Sequence, residues 1–462
     1  MPRPICCSVL FAALLCHHSA FSLDNGAGLT PAMGYSSWND CASMITEERV
    51  KNVTRAMIET GLAAKGFTQI NVDEGWLKTR NSTTGELIED RVKFPSGMKA
   101  LGDWIHDQVV PGKGKIMKYG LYTCRGTCQC PTKVYQGPGG QGHEASDSAW
   151  IAAAGADFLK VDSCCGNQNH EVAFSDYRKW RDGLNATGRQ VYFSLCGWET
   201  WYAPVGASLG NSWRIAGDGT NWPALSNCIN LNSQLQKYAR PGAWNDPDLL
   251  QGTGVGSNDK TTNPRGCFDP ATMPQTQGWY QTEQQSRAQF SMWSVMSAPL
   301  IISADVGQVS DYSLDTWGNE EIIAVNQEFR AGGPFQGERL VGGDLVYNKA
   351  NKTGSGHNVW GKLLPEGEFA LIFVSNENLP TDVTCDEKCF GALLGTSHSS
   401  HYSVRDLWKH ENVGTIAEPF TLTAKQVPKH GGVAAYRLSP LPQEQEELNT
   451  RGVLSNRSQA RV

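Results

Sequence analysis

The sequence predicts an α/β fold, a (β/α)8 TIM barrel followed by a small antiparallel β-sandwich domain. From Ala32 onward, strand-like runs alternate with helix-like segments, which is typical of a parallel sheet covered by helices. Eight such runs precede Gln327, the number that closes a barrel. After Gln327 the strand-like runs are short, separated by Gly, Pro, Asn and Asp, and show little helical periodicity. With 462 residues, the chain is long enough for both units.

The predicted domain boundaries follow from changes in composition. Residues 1–22 combine Arg3, the apolar run Ile5 to Cys16 and the small-x-small signature Ala20-Phe21-Ser22, as a secretory signal peptide does. We therefore expect a secreted, extracellular protein. Residues 23–330 would form the barrel and 331–440 the β domain, and the polar residues 441–462 would be a disordered tail. After the signal, no apolar run approaches the roughly 18 residues of a membrane span.

Charge and composition narrow the class of partner. The sequence contains 40 Lys and Arg residues and 46 Asp and Glu residues, which gives a formal net charge of -6, and it contains no basic run. This argues against nucleic acid or an anionic membrane as the partner. The 15 Trp and 13 Tyr residues could stack on sugar rings, although most of them are expected in the core. The sequence predicts a carbohydrate ligand and no cofactor, and it does not indicate an oligomeric state.

The barrel elements can be assigned in chain order. Thr46 is a predicted helix N-cap, with Glu47 and Glu48 in the first turn. Helices are also predicted over Leu101 to Val110 and Ser148 to Ala156. The eight predicted strands are Met33 to Trp38, Phe67 to Val72, Tyr119 to Thr123, Phe158 to Asp162, Val191 to Cys196, Trp213 to Asp218, Gly242 to Leu250 and Pro299 to Ala304. The β domain would use Leu345 to Tyr347, Phe369 to Val374, Tyr402 to Leu407 and Val433 to Leu438.

Acidic residues follow the predicted strand ends repeatedly. Phe158 to Asp162 reads as a buried strand that ends in a carboxylate, with Lys160 on the same face. The others are Asp73, Glu74, Asp218, Asp246 and Asp248. A single Asp in such a place is more often a turn or a helix cap. Several of them converging on one barrel mouth favour carboxylate chemistry instead. Neither a His pair at helical spacing nor a calcium-loop pattern accompanies them, so no metal site is predicted.

The cysteines and sequons fit an oxidising compartment. Cys124, Cys128 and Cys130 have a spacing compatible with zinc, but the secretory context favours disulfides. We expect Cys128 or Cys130 to reach Cys164 across neighbouring strand ends. Cys385 and Cys389 could close one loop of the β domain. Three of the 14 cysteines, Cys6, Cys7 and Cys16, lie in the predicted signal peptide, and the odd number that remains, 11, leaves at least one unpaired. Candidate glycosylation sites are Asn52, Asn81, Asn185, Asn351 and Asn456.

Five motifs resemble, in the same order, those of the secreted α-galactosidases of glycoside hydrolase family 27. They are Leu29 to Tyr35, Asn71 to Trp76, Leu159 to Asp162, Trp213 to Asp218 and Gly242 to Asp248. The resemblance covers about Leu23 to Pro440. It implies an exo-acting hydrolase that removes terminal α-D-galactosyl residues from oligosaccharides or polysaccharides by a retaining mechanism, with Asp162 as nucleophile and Asp218 as general acid/base. The residues implied in substrate binding are Tyr35, Asp73, Glu74, Lys160, Cys196, Trp198, Arg214 and Asp248.

Three positions depart from the common pattern of that family. Tyr35 stands where many members have Trp, Gly197 where some have Glu, and Glu74 where a second Asp is usual. A Glu at position 74 resembles the feature of the family's β-L-arabinopyranosidases, whose sugar lacks the 6-hydroxymethyl group of galactose. Arabinopyranosidase or dual specificity is therefore an open alternative. An inactive sugar-binding protein and a related hydrolase for N-acetylated or glucose-configured sugars are remoter ones.

Overall fold

The structure, a computed structural model, describes residues 25–132, 135–219, 221–253, 267, 281–348, 350–395 and 398–441. The predicted signal peptide at 1–22 and all but Leu441 of the predicted tail lie outside this range, as does Asn456. Within it, no helix has both the length and the apolar character needed to cross a membrane.

The N-terminal part is a closed barrel of eight parallel strands, as predicted. The sheet order is β10-β1-β2-β5-β6-β7-β8-β9. Leu250, beyond the end of β9, closes the ring by accepting from the Ser303 N–H and donating to the Ile301 carbonyl, both at 2.8 Å. The strands up to this point are β1 Met33–Ser36, β2 Gln69–Asn71, β3 Leu77–Arg80, β4 Leu87–Glu89, β5 Lys118–Cys124, β6 Phe158–Asp162, β7 Tyr192–Cys196, β8 Ser212–Arg214, β9 Trp244–Asp246 and β10 Leu300–Ile302.

Helices alternate with the strands of the barrel. They are α1 Trp38–Cys41, α2 Glu47–Glu59, α3 Met98–Asp107, α4 Glu144–Ala153, α5 His170–Ala186, α6 Ala203–Leu209, α7 Trp222–Asn232, α8 Glu283–Val295, α9 Asp311–Trp317 and α10 Glu320–Gln327. Short 3-10 turns lie at Ala42–Met44, Ala63–Lys65, Thr200–Tyr202, Gln236–Tyr238 and Pro365–Gly367. Thr46 caps α2 as predicted, because its hydroxyl accepts from the Arg49 N–H. Helices α3 and α4 begin three and four residues before their predicted starts.

The alternation of side chains along β6 explains how the strand serves both the core and the site. Leu159 and Val161 are fully buried in the hydrophobic core. Lys160 and Asp162, which point to the opposite side, line the cavity at the barrel mouth. Neighbouring strands are in register here, with Lys160 between Tyr122 of β5 and Ser194 of β7. The pleat therefore brings both charged side chains of β6 to the mouth.

Two local features differ from the sequence prediction. The sixth barrel strand ends at Arg214 rather than Asp218, so Asp218 lies in the loop beyond it. Strands β3 and β4 form an antiparallel hairpin after the second barrel strand, which was not predicted. The hairpin is largely exposed apart from Leu77 and Leu87, so it lacks the strong apolar alternation that identifies a strand in sequence.

The C-terminal part is a β sandwich built around a six-stranded antiparallel sheet, ordered β11-β14-β15-β20-β17-β18. Its elements are β11 Glu338–Gly342, β12 Val346–Asn348, β13 Thr353–Ser355, β14 His357–Leu363, β15 Phe369–Ser375, β16 Thr381–Cys385, α11 Glu387–Leu394, β17 His401–Asp406, β18 Glu411–Ala417, β19 Leu422–Val427 and β20 Gly432–Pro440. The sequence predicted no helix in this part of the chain, so α11 differs from the prediction.

The central strand β15 is buried on both faces. It connects the barrel and the sandwich, because its side chains contribute to two hydrophobic cores. Ala370, Ile372 and Val374 belong to the core that is continuous with the barrel. Phe369, Leu371 and Phe373 belong to a separate core inside the sandwich. A strand with two buried faces reads as a continuous apolar run. One face of the sheet thus packs against the barrel.

Candidate active site

A cavity of about 190 Å³ opens at the carboxyl ends of the barrel strands, where barrel enzymes carry their chemistry. Eight residues of the predicted site line it: Asp73, Glu74, Lys160, Asp162, Trp198, Arg214, Asp218 and Asp248. Five further lining residues were not predicted: Trp38, Asn39, Tyr122, Leu249 and Gln251. Tyr35 and Cys196 do not line it.

Asp162 is the last residue of β6 and is buried at the floor of the cavity. Its Oδ1 accepts from the Ser163 N–H at 2.8 Å, and its Oδ2 accepts from the Tyr122 hydroxyl at 3.1 Å. Burial raises the pKa of Asp162 above its usual value, while the charge of Lys160 and the Ser163 N–H oppose this rise. Two donors thus hold the carboxylate in one orientation.

Glu74 lies beside Asp162 and shares a partner with it. The Tyr122 hydroxyl is 3.0 Å from Glu74 Oε2. Glu74 Oε1 is buried and has no hydrogen-bond partner among the described residues. Burial, together with the nearby charge of Asp73, raises the pKa of Glu74 to about 8. Glu74 is therefore a neutral carboxylic acid at physiological pH, which can donate as well as accept.

Lys160 and Asp73 form the adjacent ion pair. Lys160 Nζ lies 3.0 Å from Asp73 Oδ2, and the Ser36 hydroxyl donates to the same oxygen at 3.2 Å. The Lys160 ammonium also lies 5.1 Å from the centre of the Tyr122 ring. Sequence reasoning placed Lys160 beside Asp162, but its direct partner is Asp73 on a different strand end. Its positive charge still favours the ionised form of Asp162.

Arg214 at the end of β8 connects two further carboxylates. Its Nη2 lies 2.9 Å from Asp248 Oδ2 and 3.2 Å from Asp218 Oδ1. The side chain of Asp218 is 58% exposed, whereas that of Asp248 is 6% exposed. Asp248 has φ +118°, which L residues rarely adopt, and such strain clusters at functional sites. Of the two carboxylates, Asp218 is the one in contact with solvent.

Tyr35 and Cys196 are placed differently from the other predicted residues. Tyr35 is fully buried, and its hydroxyl donates to Asp40 Oδ2 at 2.6 Å. Asp40 is in turn paired with Arg49 at 2.7 Å, so Tyr35 belongs to a buried network behind the site. Cys196 is buried with its Sγ 3.9 Å from Arg214 Nη1. Cys196 thus contacts Arg214, which lines the cavity, but does not line the cavity itself.

Two disulfides connect the loops after β5 and β6, where at least one bridge, from Cys128 or Cys130 to Cys164, was predicted. They are Cys130–Cys164 and Cys128–Cys165, and both Cys130 and Cys164 line the cavity. Cys385–Cys389 also forms as predicted, and Cys41–Cys267 was not predicted. Among the described cysteines, the free ones are Cys124, Cys196 and Cys228. The sulfurs of Cys124, Cys130 and Cys164 lie within 4.8 Å of one another, but two of them are committed to a disulfide.

Tyr122 is the residue that sequence reasoning should have found. It lies on β5 directly opposite Lys160 in the parallel register, so it shares the inner face of the barrel. The assigned strand Tyr119 to Thr123 already contained it, and period-two alternation places it on one face with Gly120 and Cys124. Trp38 and Asn39 follow the first strand directly and carry the same signal. Gln251 carries this signal too, because it directly follows the predicted strand Gly242 to Leu250.

Family profiles match both parts of the chain. The profile described as "Alpha galactosidase A" matches residues 30–264 and 260–328. The one described as "Alpha galactosidase C-terminal beta sandwich domain" matches residues 354–438. Together they cover most of the sequence.

Individual relatives agree with these profiles. An "Alpha-galactosidase" of Cyamopsis tetragonoloba is 31% identical over 398 residues, 85% of this chain and 83% of the relative. A "Probable alpha-galactosidase" of Dictyostelium discoideum is 32% identical over 414 residues, 89% and 93% of the two chains. Among solved structures, α-galactosidase I of Mortierella vinacea superposes with a TM-score of 0.73 at 26% identity, covering 90% of this chain and 98% of that one.

Proposed function

This chain belongs to the α-galactosidase family of glycoside hydrolases, and we propose that it is a retaining, exo-acting enzyme that removes terminal α-D-galactosyl residues from oligosaccharides or polysaccharides. The observation that carries the proposal is the pair formed by Asp162 and Asp218 on one cavity. One carboxylate is buried and held by two donors, and the other is half exposed beside an arginine. The different environments suit two different roles.

In the first step, Asp162 attacks the anomeric carbon while Asp218 protonates the glycosidic oxygen, so that the aglycone departs and a glycosyl-enzyme forms. In the second step, Asp218 deprotonates a water molecule, the water attacks the same carbon, and Asp162 is released. Two inversions give net retention. The Ser163 N–H and the Tyr122 hydroxyl stabilise the carboxylate that leaves in the second step. The exposure of Asp218 suits a group that meets the leaving group and water in turn.

The remaining charged groups are proposed to bind sugar hydroxyls. Asp73 offers a carboxylate that can accept two hydrogen bonds, and Lys160 and Arg214 offer donors. All three are buried to a large degree and held by partners before any substrate arrives. A ligand hydroxyl therefore meets groups whose orientation is already determined, which reduces the entropic cost of binding.

Secretion and glycosylation are part of the same proposal. The disulfides that hold the rim support folding in an oxidising compartment, and the expected signal peptide would direct the chain outside the cell. Asn52, Asn81, Asn185 and Asn351 are exposed, so the enzymes that attach glycans could reach them. Asn456 lies outside the described residues.

The test measures both the rate and the stereochemistry of the reaction. The purified protein is assayed with nitrophenyl α-D-galactopyranoside, and the first-formed sugar is followed by proton NMR. We expect hydrolysis with α-galactose appearing before mutarotation. A β-configured first product would rule out the two-aspartate retaining mechanism, and absence of hydrolysis would rule out the activity.

One observation favours a second candidate, a β-L-arabinopyranosidase or an enzyme with dual specificity. Glu74 lies in the cavity wall, and its side chain is one methylene longer than the Asp usual in the family. The extra length, about 1.5 Å, would extend towards the 6-hydroxymethyl group of galactose. Parallel rates on nitrophenyl β-L-arabinopyranoside distinguish the candidates. The named relatives favour the galactosidase.

A further inference from the structure

The loop that carries Asp218 is held through the backbone of the next residue, Gly219. The Gly219 N–H donates to Asp248 Oδ2 at 2.6 Å. The Gly219 carbonyl accepts from the side-chain amide of Gln251. Both polar groups of this one peptide residue are therefore engaged by side chains from the segment that follows β9. Asp218 lies beyond the end of β8, so no strand ladder holds it.

The arginine contact completes a ring of interactions around Asp218. Arg214 Nη2 reaches the Asp218 carboxylate at 3.2 Å, the Ala216 carbonyl at 3.2 Å and Asp248 Oδ2 at 2.9 Å. Asp248 Oδ2 also accepts from the Gly219 N–H. Among the described residues, Gln251 is the only hydrogen-bond donor to the Gly219 carbonyl. If that hydrogen bond is lost, the peptide group after Gly219 can rotate, because the Gly219 N–H belongs to the preceding peptide group and does not hold the carbonyl.

Gln251 is itself held in position. Its side chain is largely buried and lines the cavity. Hydrogen-bond chemistry determines the orientation of the Gln251 amide. The Gly219 carbonyl oxygen can only accept, so the Gln251 amide nitrogen, which is the donor, must face it. Its backbone N–H is 3.5 Å from Gln289 Oε1 on α8, and the Gln289 amide donates to the Leu249 carbonyl at 3.0 Å. Gln251 thus donates from a segment, Leu249 to Gln251, whose backbone is held by hydrogen bonds to Gln289.

We propose that Gln251 is a positioning residue for the general acid/base: it orients Asp218 through the Gly219 carbonyl. The proposal rests on the function proposed above. A misplaced general acid slows reactions that need protonation of the leaving group and has little effect on those that do not. The role of Gln251 therefore has a signature that general damage to the fold does not share.

The test compares two substrates in the full-length enzyme carrying Gln251→Met, which keeps the length of the side chain and removes the donor. For an unactivated α-galactosyl disaccharide we expect kcat/KM to fall roughly 10- to 100-fold, as for a catalytic group displaced by up to about 1 Å. For dinitrophenyl α-galactoside, whose leaving group needs no proton, we expect kcat/KM to change by less than about threefold. Gln251→Glu, whose ionised carboxylate cannot donate, should show the same selective loss.

Gln289→Met is the matched control, because Gln289 braces the same segment without contacting Gly219. It should lower both rates by the same factor or leave them unchanged. Rates are normalised to the concentration of folded protein, measured by thermal unfolding. An equal loss on both substrates in both Gln251 variants, or no loss on either, would overturn the positioning role while leaving the proposed function intact. A wild-type enzyme inactive on both substrates would instead overturn the function, and the positioning role with it.

Discussion

At the scale of single residues, the chemistry depends on how the surroundings of each carboxyl differ. Asp162 has two donors and a nearby lysine charge, whereas Glu74 has one shared donor and an adjacent carboxylate. Burial raises the pKa of both. The pKa of Glu74 is raised to about 8, so this carboxyl keeps its proton at neutral pH, whereas the Lys160 charge and the Ser163 N–H favour the ionised form of Asp162. Neighbouring carboxyls can thus act as an ionised nucleophile and a neutral wall of the site.

Asp162→Asn should abolish turnover, because an amide cannot form the glycosyl-enzyme. The fold should remain, since the Asn carbonyl oxygen can still accept from the Ser163 N–H while its NH2 group donates to the Tyr122 hydroxyl oxygen. The measurement is the hydrolysis rate of nitrophenyl α-galactoside alongside the thermal unfolding midpoint. A variant that unfolds like the wild type yet retains a substantial fraction of its rate would exclude Asp162 as the nucleophile.

Asp218→Ala should be rescued by azide on an activated substrate. Azide attacks the glycosyl-enzyme without needing a general base, so the product should be the galactosyl azide with retained configuration. The product is identified by NMR and mass spectrometry. If azide changed neither the rate nor the product, Asp218 would not be the acid/base.

Glu74→Asp should raise the ratio of galactoside to arabinopyranoside kcat/KM by about tenfold or more if Glu74 sets specificity. A pocket that gains or loses room for one small group changes discrimination by roughly 10- to 200-fold. The two nitrophenyl substrates supply the measurement. An unchanged ratio would mean that the backbone, rather than the carboxyl length, determines the space near the 6-position.

At the scale of elements, the rim of the site is held by cross-links between loops. Cys130 and Cys164 lie after neighbouring strands β5 and β6 and line the cavity. Cys385 and Cys389 are separated by four positions in the sandwich, away from the site. The first bridge closes a longer loop, and it holds two cavity walls at a set distance. The two bridges therefore have different expected effects.

Replacing Cys130 and Cys164 together by Ser should lower kcat/KM. The remaining Cys128–Cys165 bridge joins the same two loops, so the loss of stability should stay below the roughly 2 to 4 kcal/mol of an isolated bridge. The paired change at Cys385 and Cys389 is the control and should leave kcat/KM within about twofold. Denaturant unfolding and initial rates provide the two readouts. Equal kcat/KM for both double variants would show that the rim bridge does not shape the site.

At the scale of the whole molecule, the barrel and the sandwich share a buried cation. Lys362 on β14 lies 1% exposed between them. Its ammonium donates to the Ser297 hydroxyl at 2.7 Å and to the Val325 and Asn326 carbonyls. Burial lowers the pKa of Lys362 to about 7. The sandwich is thus connected to the barrel by a group whose charge is disfavoured in the folded state.

This makes the stability contribution of Lys362 dependent on pH. Between about pH 7 and 10.5 the unfolded chain binds a proton at this residue that the folded chain does not, so stability rises with pH across this window. Lys362→Met removes both this slope and the three hydrogen bonds. We expect the wild type to be the more stable protein at pH 9.5 and its advantage to shrink as the pH falls to 6.

Thermal unfolding midpoints of the two proteins at matched pH values give the comparison. Every other titrating group is common to both proteins, so the difference in midpoint isolates Lys362. A difference that stays constant from pH 6 to 9.5 would contradict a lowered pKa at this position.

The sequence by itself determined the eight-stranded barrel, the β domain and the set of acidic residues at the mouth. Alternation of strand and helix is a local signal, and parallel topology places all strand ends on one side. Asp73, Glu74, Asp162, Asp218 and Asp248 therefore meet wherever the strands end. The proximity of the cysteines after β5 and β6 followed from the same topology.

Only the tertiary structure decided which side chains touch within that mouth. It paired Lys160 with Asp73, placed Tyr122 between Asp162 and Glu74, and turned Tyr35 away towards Asp40. It also connected Gly219 to Gln251. These contacts join residues distant in the chain, and their distances depend on strand register and loop backbone. Local periodicity states which face a side chain occupies, but not which partner it meets across the barrel.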